Sequence, residues 1–291
     1  MSRSCSSEPP DLHVPAVRVS DLHRTAFITG ASTGLGQAFA EMLLRDGVRV
    51  WGTSRDAARL DPLVARYGTQ FTPVALDLRQ GAQAEAVFRE AETAAGGFDL
   101  VINNAGYGVF ADFAATDFHV WEEQLQVMLI NTARMAHVAL RGMRERDRGA
   151  LVNISSLAAG FPLPFQSAYN IAKAGLSALN ESLMIEFAGC NIVILDVQPG
   201  DYRTDFEGSV VRPAAAPSPR LDRAWMAFAA MMQSGPAPAH AAAALRRALL
   251  RNRSGTVRMG RFFQAVLAPF LTRFGSQALV RRIQASYFNV S

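Results

Sequence analysis

The run Thr25-Ala-Phe-Ile-Thr29-Gly30-Ala31-Ser32-Thr33-Gly34-Leu35-Gly36 decides how this chain is read. A short apolar strand passes into three glycines spaced G-x-x-x-G-x-G, and Gln37-Ala-Phe-Ala-Glu-Met-Leu-Leu-Arg45 continues as a helix. Strand, glycine-rich turn and helix together make the first unit of a dinucleotide-binding fold. The glycines let backbone approach a pyrophosphate, and the unpaired N–H groups at the helix start attract an anion. The spacing is not the common G-x-G-x-x-G. The position between strand and helix, rather than the glycines alone, therefore carries the reading.

Working outward, a second strand is expected over Val48 to Thr53, ending in Ser54-Arg55. An acidic residue at this strand end would hold the ribose 2′-hydroxyl of NAD and repel a 2′-phosphate. Ser54 and Arg55 instead offer a small donor and a planar cation, which favours NADP over NAD. The alternative is that Arg55 pairs with Asp56 or with solvent. A third strand, Phe71 to Leu76, ends at Asp77-Leu78, where a carboxylate is placed to accept from the adenine amino group. A helix over Ala82 to Ala95 leads to strand Leu100–Asn103 and the small residues Asn104-Ala105-Gly106, which let backbone lie flat against a cofactor ring. One long helix is expected over Asp117 to Arg144, then a strand over Ala150 to Ile154 carrying Ser155 and Ser156. The helix Ser167 to Ala188 bears Tyr169 and Lys173. A further strand, Ile192 to Val197, ends in Pro199-Gly200-Asp-Tyr202-Arg-Thr204. Strands alternating with helices predict an α/β Rossmann fold, a doubly wound parallel sheet with helices on both faces.

Lys173 is the only lysine in the protein, and it follows Tyr169 by four residues. On a helix these positions share a face, so the ammonium can sit beside the phenol. A phenol titrates near 10, and a fixed positive charge a few Å away lowers that value. A tyrosine so placed exchanges protons near neutral pH, as a hydroxyl/carbonyl interconversion requires. Arginine, planar and bulkier, is a poor substitute. The competing reading makes the lysine a surface residue left by compositional bias.

The chain has 291 residues, a formal net charge of +4 and two cysteines, Cys5 and Cys190. No repeat and no second core are visible, so the organisation expected is an arm over residues 1–24, an oxidoreductase domain over 25–260 and a helical C-terminal extension over 261–291 packed on it. The arginines are scattered, locally dense only from Arg141 to Arg148 and in the C-terminal third, which argues against nucleic-acid binding. Two isolated cysteines form neither a disulfide framework nor a metal cluster, so no metal and a reducing, cytoplasmic location are expected. No apolar run approaches the ~20 residues of a membrane span. The Met-rich stretch Leu221 to Gln233 reads as core or as a substrate lid. Phe262 to Phe288, arginine-rich and amphipathic, reads as packing or dimer surface first and as membrane-surface contact second.

From Thr25 to Thr204 the chain resembles the single-domain branch of the short-chain dehydrogenase/reductase family. T-G-x-x-x-G-x-G matches Thr29 to Gly36, N-N-A-G matches Asn103 to Gly106, Y-x-x-x-K matches Tyr169 to Lys173, and P-G-x-x-x-T matches Pro199 to Thr204. The resemblance implies that Tyr169 is the general acid/base and that Lys173 lowers its pKa and binds the nicotinamide ribose. Ser156, thirteen residues before the tyrosine, is selected over Ser155 to hold the substrate oxygen. The implied cofactor wall comprises Gly30, Ser32, Thr33, Gly34, Leu35, Gly36, Ser54, Arg55, Asp77, Leu78, Asn104, Ala105 and Gly106, with Tyr169, Lys173, Pro199, Gly200, Tyr202 and Thr204 closing it. Phe161 to Phe165 is similar to the hydroxysteroid and retinol dehydrogenase branch.

The family's long helix usually carries an asparagine in the water relay to the lysine; here Met128 occupies that place and Asn131 lies three residues later. The expected activity is NADP(H)-dependent hydride transfer to or from a carbonyl or secondary alcohol of a hydrophobic small molecule. A homodimer or homotetramer paired through the long helices is implied. The alternative is an NADP-binding regulatory protein of weak turnover.

Overall fold

The computed structural model describes residues 17–213, 218–261, 263 and 276–290. Most of the expected N-terminal arm and much of the Phe262 to Phe288 segment lie outside these residues. Seven strands form one sheet: β1 (Thr25–Ile28), β2 (Arg49–Ser54), β3 (Phe71–Ala75), β4 (Leu100–Asn103), β5 (Gly149–Ile154), β6 (Ile192–Pro199) and β7 (Gly255–Met259). Their order is β3-β2-β1-β4-β5-β6-β7, and every pairing is parallel. The order reverses between β1 and β4, which opens a crevice at the carboxyl ends of the strands. β1 and β4 are buried along their whole length, as strands covered on both faces must be.

Helices cover the two faces. On one lie α1 (Gly34–Arg45), α2 (Asp61–Tyr67) and α8 (Pro238–Arg251), burying Phe39, Leu43, Leu63 and Leu245 against Ile28, Val50 and Val197. The other carries α3 (Gly81–Ala95), α4 (Phe118–Leu125), α5 (Asn131–Glu145) and α6 (Ser167–Glu186), around Phe27, Phe88, Phe98 and Met135. Phe27 meets Phe88 edge-on at 4.9 Å and Phe98 at 5.3 Å, tying β1 to the α3 side. Beyond the sheet, α7 (Pro219–Ser234) and α9 (Gln277–Tyr287) form a roof over the crevice, joined by Leu221, Phe228 and Met232 packing with Phe288.

Two local features depart from the sequence reading. The short α2 was not anticipated: it is seven residues long, has a proline in its first turn and buries only Leu63. The single helix expected from Asp117 to Arg144 is instead α4 and α5 joined by a π turn, Gln126–Ile130. There the Asn131 N–H donates to the Gln126 carbonyl, and Thr132 Oγ1 donates to the Val127 carbonyl at 3.2 Å. A side chain that satisfies a carbonyl five residues back sustains the wider turn, and π turns concentrate at functional sites.

Candidate active site

A cavity of about 1470 Å³ fills the crevice, running from the β2 and β3 ends to the α7–α9 roof. At one end is the glycine turn. Gly30 and Gly34 adopt left-handed φ of 68° and 58°, and a Cβ on Gly36 would overlap the Gly30 carbonyl oxygen. Thr29 Oγ1 accepts from the backbone N–H groups of Asn104 (2.9 Å) and Ala105 (3.0 Å), while Asn104 Nδ2 donates to the carbonyls of Thr29 and Gly30. The β1 and β4 loops are thereby stitched into one surface. Ser32, Thr33, Leu35, Gly106, Pro199 and Gly200 line the same wall, and Thr204 lies over Gly34, its methyl group 3.6 Å from where a Cβ would stand. This pre-shaped backbone cradle at a helix N-terminus fits a dinucleotide.

At the β2 and β3 end, Ser54 is buried and its Oγ accepts from the Asp56 N–H at 3.3 Å. Asp56 caps the following turn by accepting from Ala58 N and forms no ion pair with Arg55. Arg55 is exposed at the cavity rim and makes no hydrogen bond or ion pair among the described residues, and Arg59 lines the same rim. Asp77 and Leu78 close this end, with Asp77 Oδ1 accepting from Arg79 N at 3.0 Å.

At the other end Ser156, Tyr169 and Lys173 share the cavity wall. Ser156 follows β5, accepts from Ala158 N at 3.1 Å and donates to the Pro199 carbonyl at 3.4 Å, with Tyr169 on the same wall. Lys173 is 5% exposed, donates to the Ile154 carbonyl at 2.7 Å and sits 5.6 Å from the Tyr169 ring centre. Burial pushes its ammonium down to about 8, opposed by the charge of Asp196. The phenol behaves differently from the sequence expectation. Burial is the largest influence on Tyr169 and raises its pKa; the Ser156 hydrogen bond lowers it and Asp201 raises it further. Burial, rather than the lysine charge, sets the direction.

Beneath this wall lies a buried polar network. Asp196 accepts from Ser155 Oγ (2.5 Å), Ser177 Oγ (2.7 Å), Asn180 Nδ2 (2.9 Å) and Gln198 Nε2 (2.7 Å). Ser155 is thus a clamp between β5 and β6. Tyr202 lines the cavity wall, and its hydroxyl pairs with His240 Nδ1 at 2.9 Å.

Met128 packs against Gly106, its Cε 3.1 Å from where a Cβ would stand. Asn131 does not stand in for the missing asparagine. Its Nδ2 donates to the Leu78 carbonyl at 2.6 Å and its Oδ1 accepts from Gln126, which anchors the β3–α3 loop instead. The π turn brings Asn131 to that loop. An amide does reach the region from Gln124, fully buried one turn earlier, whose Nε2 donates to the Tyr107 carbonyl at 2.9 Å and approaches Met128 Sδ at 3.7 Å. Gln166, just before α6, is also fully buried and lines the cavity, and neither of its amide atoms has a partner among the described residues. Sequence reasoning passed over Arg59, Gln124, Gln166 and Asp196. For Gln124 the available signal was a polar side chain four residues before Met128 on the inward face.

A profile of the short chain dehydrogenase family matches residues 24–214. An uncharacterized oxidoreductase of Schizosaccharomyces pombe is 33% identical over 207 residues, 70% of each chain. A probable NADP-dependent dehydrogenase of Haemophilus influenzae is 30% identical over 180 residues, 60% of this chain and 70% of the relative. The crystal structure of a short-chain dehydrogenase from Streptomyces avermitilis superposes with a TM-score of 0.77 at 30% identity, covering 93% of this chain and 97% of that one. With the family profile spanning most of the sheet and its crevice, and these relatives alongside it, the chain belongs to the short-chain dehydrogenase/reductase family.

Proposed function

We propose that the protein moves a hydride between NADP(H) and a carbonyl or secondary alcohol of a hydrophobic substrate. The observation that carries this is one continuous cavity with Ser156, Tyr169 and Lys173 at one end and the uncompensated Arg55, beside Arg59, at the other. The Haemophilus relative, described as a probable NADP-dependent dehydrogenase, supports the cofactor choice. The substrate half of the cavity is walled by Phe161, Leu163, Phe206, Phe228, Met231 and Met232, which supports an apolar substrate.

The glycine turn and the α1 N-terminus would hold the pyrophosphate, Arg55 and Arg59 the 2′-phosphate, Asp77 the adenine, and Lys173 the nicotinamide ribose. When bound, the cofactor supplies or accepts the hydride. Ser156 Oγ holds the substrate oxygen against Tyr169, whose hydroxyl gives that oxygen a proton in reduction and whose phenolate takes one from it in oxidation. Lys173, kept charged by Asp196 and tied to Ile154, restrains the phenol and offsets the charge that forms on it. A burial-raised phenol is a competent donor, and it needs this nearby cation to act as a base. The apolar roof of α7 and α9 excludes water from the reacting atoms.

The reading extends to assembly. Ile130, Ile171 and Ile185, on the π turn and α6, are 49, 51 and 78% exposed, an apolar face suited to pairing between copies of the chain. A second reading, an NADP-binding protein of weak turnover, rests on Met128. NADPH consumption across a panel of aliphatic and aromatic carbonyls separates the two: substrate-dependent consumption supports the enzyme, and tight NADPH binding without it supports the second reading.

A further inference from the structure

The roof over the cavity mouth carries a surface that hydride-transfer chemistry does not use. Along α9, Val280 and Phe288 point into the protein, whereas Leu279, Ile283 and Tyr287 are 50, 47 and 52% exposed. These three recur every fourth residue and form one stripe. Met226 on the neighbouring α7 is 70% exposed. Ile283 and Tyr287 also line the cavity, so the stripe runs into the cavity wall without a break.

The charged side chains of α7 and α9 are four arginines, Arg220, Arg223, Arg281 and Arg282, and one acid. Arg281 and Arg282 are exposed and form no hydrogen bond or ion pair among the described residues. On α7, exposed Arg220 donates to the Val290 carbonyl at 2.9 Å, so its charge faces no carboxylate. Within α7 and α9 the one acid, Asp222, is paired with Arg212 at 3.3 Å; Asp201 and Asp205 lie deeper, along the cavity wall. The sequence has the same polarity on a larger scale. Residues 1–218 hold 18 basic and 24 acidic side chains, whereas residues 219–291 hold eleven arginines against Asp222 alone. The two parts therefore carry formal charges of −6 and +10 within a chain of +4.

Charge decides between the occupants of such a stripe. A second copy meeting it about a two-fold axis would bring Arg281 and Arg282 against like charges. An anionic bilayer satisfies both halves of the pattern, apolar side chains entering the acyl boundary and arginines meeting headgroup phosphates. We propose that the α7–α9 face docks on an anionic phospholipid surface, with the cavity mouth turned toward the membrane so that a lipophilic substrate passes directly into the site. The docking stands on exposure and charge; the substrate route rests on the hydrophobic-substrate reading above.

The test is co-sedimentation of the full chain with vesicles of phosphatidylcholine alone and of phosphatidylcholine mixed with phosphatidylserine, at low and high ionic strength. Partition is expected onto the phosphatidylserine vesicles, with loss at high salt. Arg281→Gln with Arg282→Gln should lower it about thirtyfold, since each basic residue near such a surface contributes about a factor of five. Leu279→Ser should lower it as well, while turnover of a water-soluble carbonyl and the unfolding midpoint stay unchanged. No partition, equal partition onto both vesicle types, or variants that partition like the parent would overturn the proposal. So would a Leu279→Ser variant that dissociates an oligomer and still binds vesicles. Sedimentation needs no turnover, so a failed docking and a failed oxidoreductase assignment are read separately.

Discussion

Lys173 holds a charge in a place that resists it. Its ammonium, 5% exposed, is pushed down to about 8 by burial from an ordinary value of 10.5. Between pH 8 and 10.5 the unfolded chain keeps a proton that the folded chain has released, so stability from this group rises with pH across that window. Below it the buried charge costs the fold. The unfolding free energy of the parent, relative to Lys173→Met, should therefore improve by about 3 kcal/mol between pH 7 and 10.5. Urea unfolding of both proteins at the two pH values measures it, and a constant difference would mean the lysine is not desolvated. At the far end of the cavity, Arg55→Ala should weaken NADPH about ten- to a hundredfold and leave NADH unchanged. Fluorescence titration with both cofactors checks this, and equal losses would remove the 2′-phosphate assignment.

Among the elements, the π turn separates what could be read from what could not. Strand ends, the glycine turn and the Tyr169–Lys173 helix face were legible because parallel strands are continuous apolar runs and a four-residue spacing fixes a helix face. The direction of Asn131 was not legible, since it depends on one widened turn held by the Thr132 hydroxyl and a backbone bond. Nor was the Ser155–Asp196 clamp, whose partners lie on neighbouring strands 41 residues apart in sequence. The dominance of burial over the lysine charge at Tyr169 is a property of the assembled wall, and no spacing rule contains it. The geometry makes the roles of this turn separable. Asn131→Ala leaves the Leu78 carbonyl unpaired and loosens the β3–α3 loop, so the cofactor KM should rise with kcat little changed. Gln124→Leu frees the Tyr107 carbonyl beside Gly106, so kcat should fall about tenfold or more. Steady-state kinetics on both variants tests the division; a kcat loss confined to Asn131→Ala would reverse the roles.

At the scale of the whole molecule, the exposed Ile130, Ile171 and Ile185 predict a dimer or tetramer of the 31.5 kDa chain, and Ile171→Arg should shift light scattering toward the monomer. A parent that scatters as a monomer would leave that apolar face unexplained. In the proposed reading the sheet brings Ser156, and α6 brings Tyr169 and Lys173, to one cavity wall beneath α7 and α9. The measurement that bears most directly on this account is NADPH-dependent turnover of Tyr169→Phe beside its NADPH affinity. Removing only the transferable proton should cut kcat by about 10²–10⁴-fold with NADPH binding nearly unchanged. A Tyr169→Phe protein that keeps most of its kcat would show that the proton comes from elsewhere and contradict the central claim.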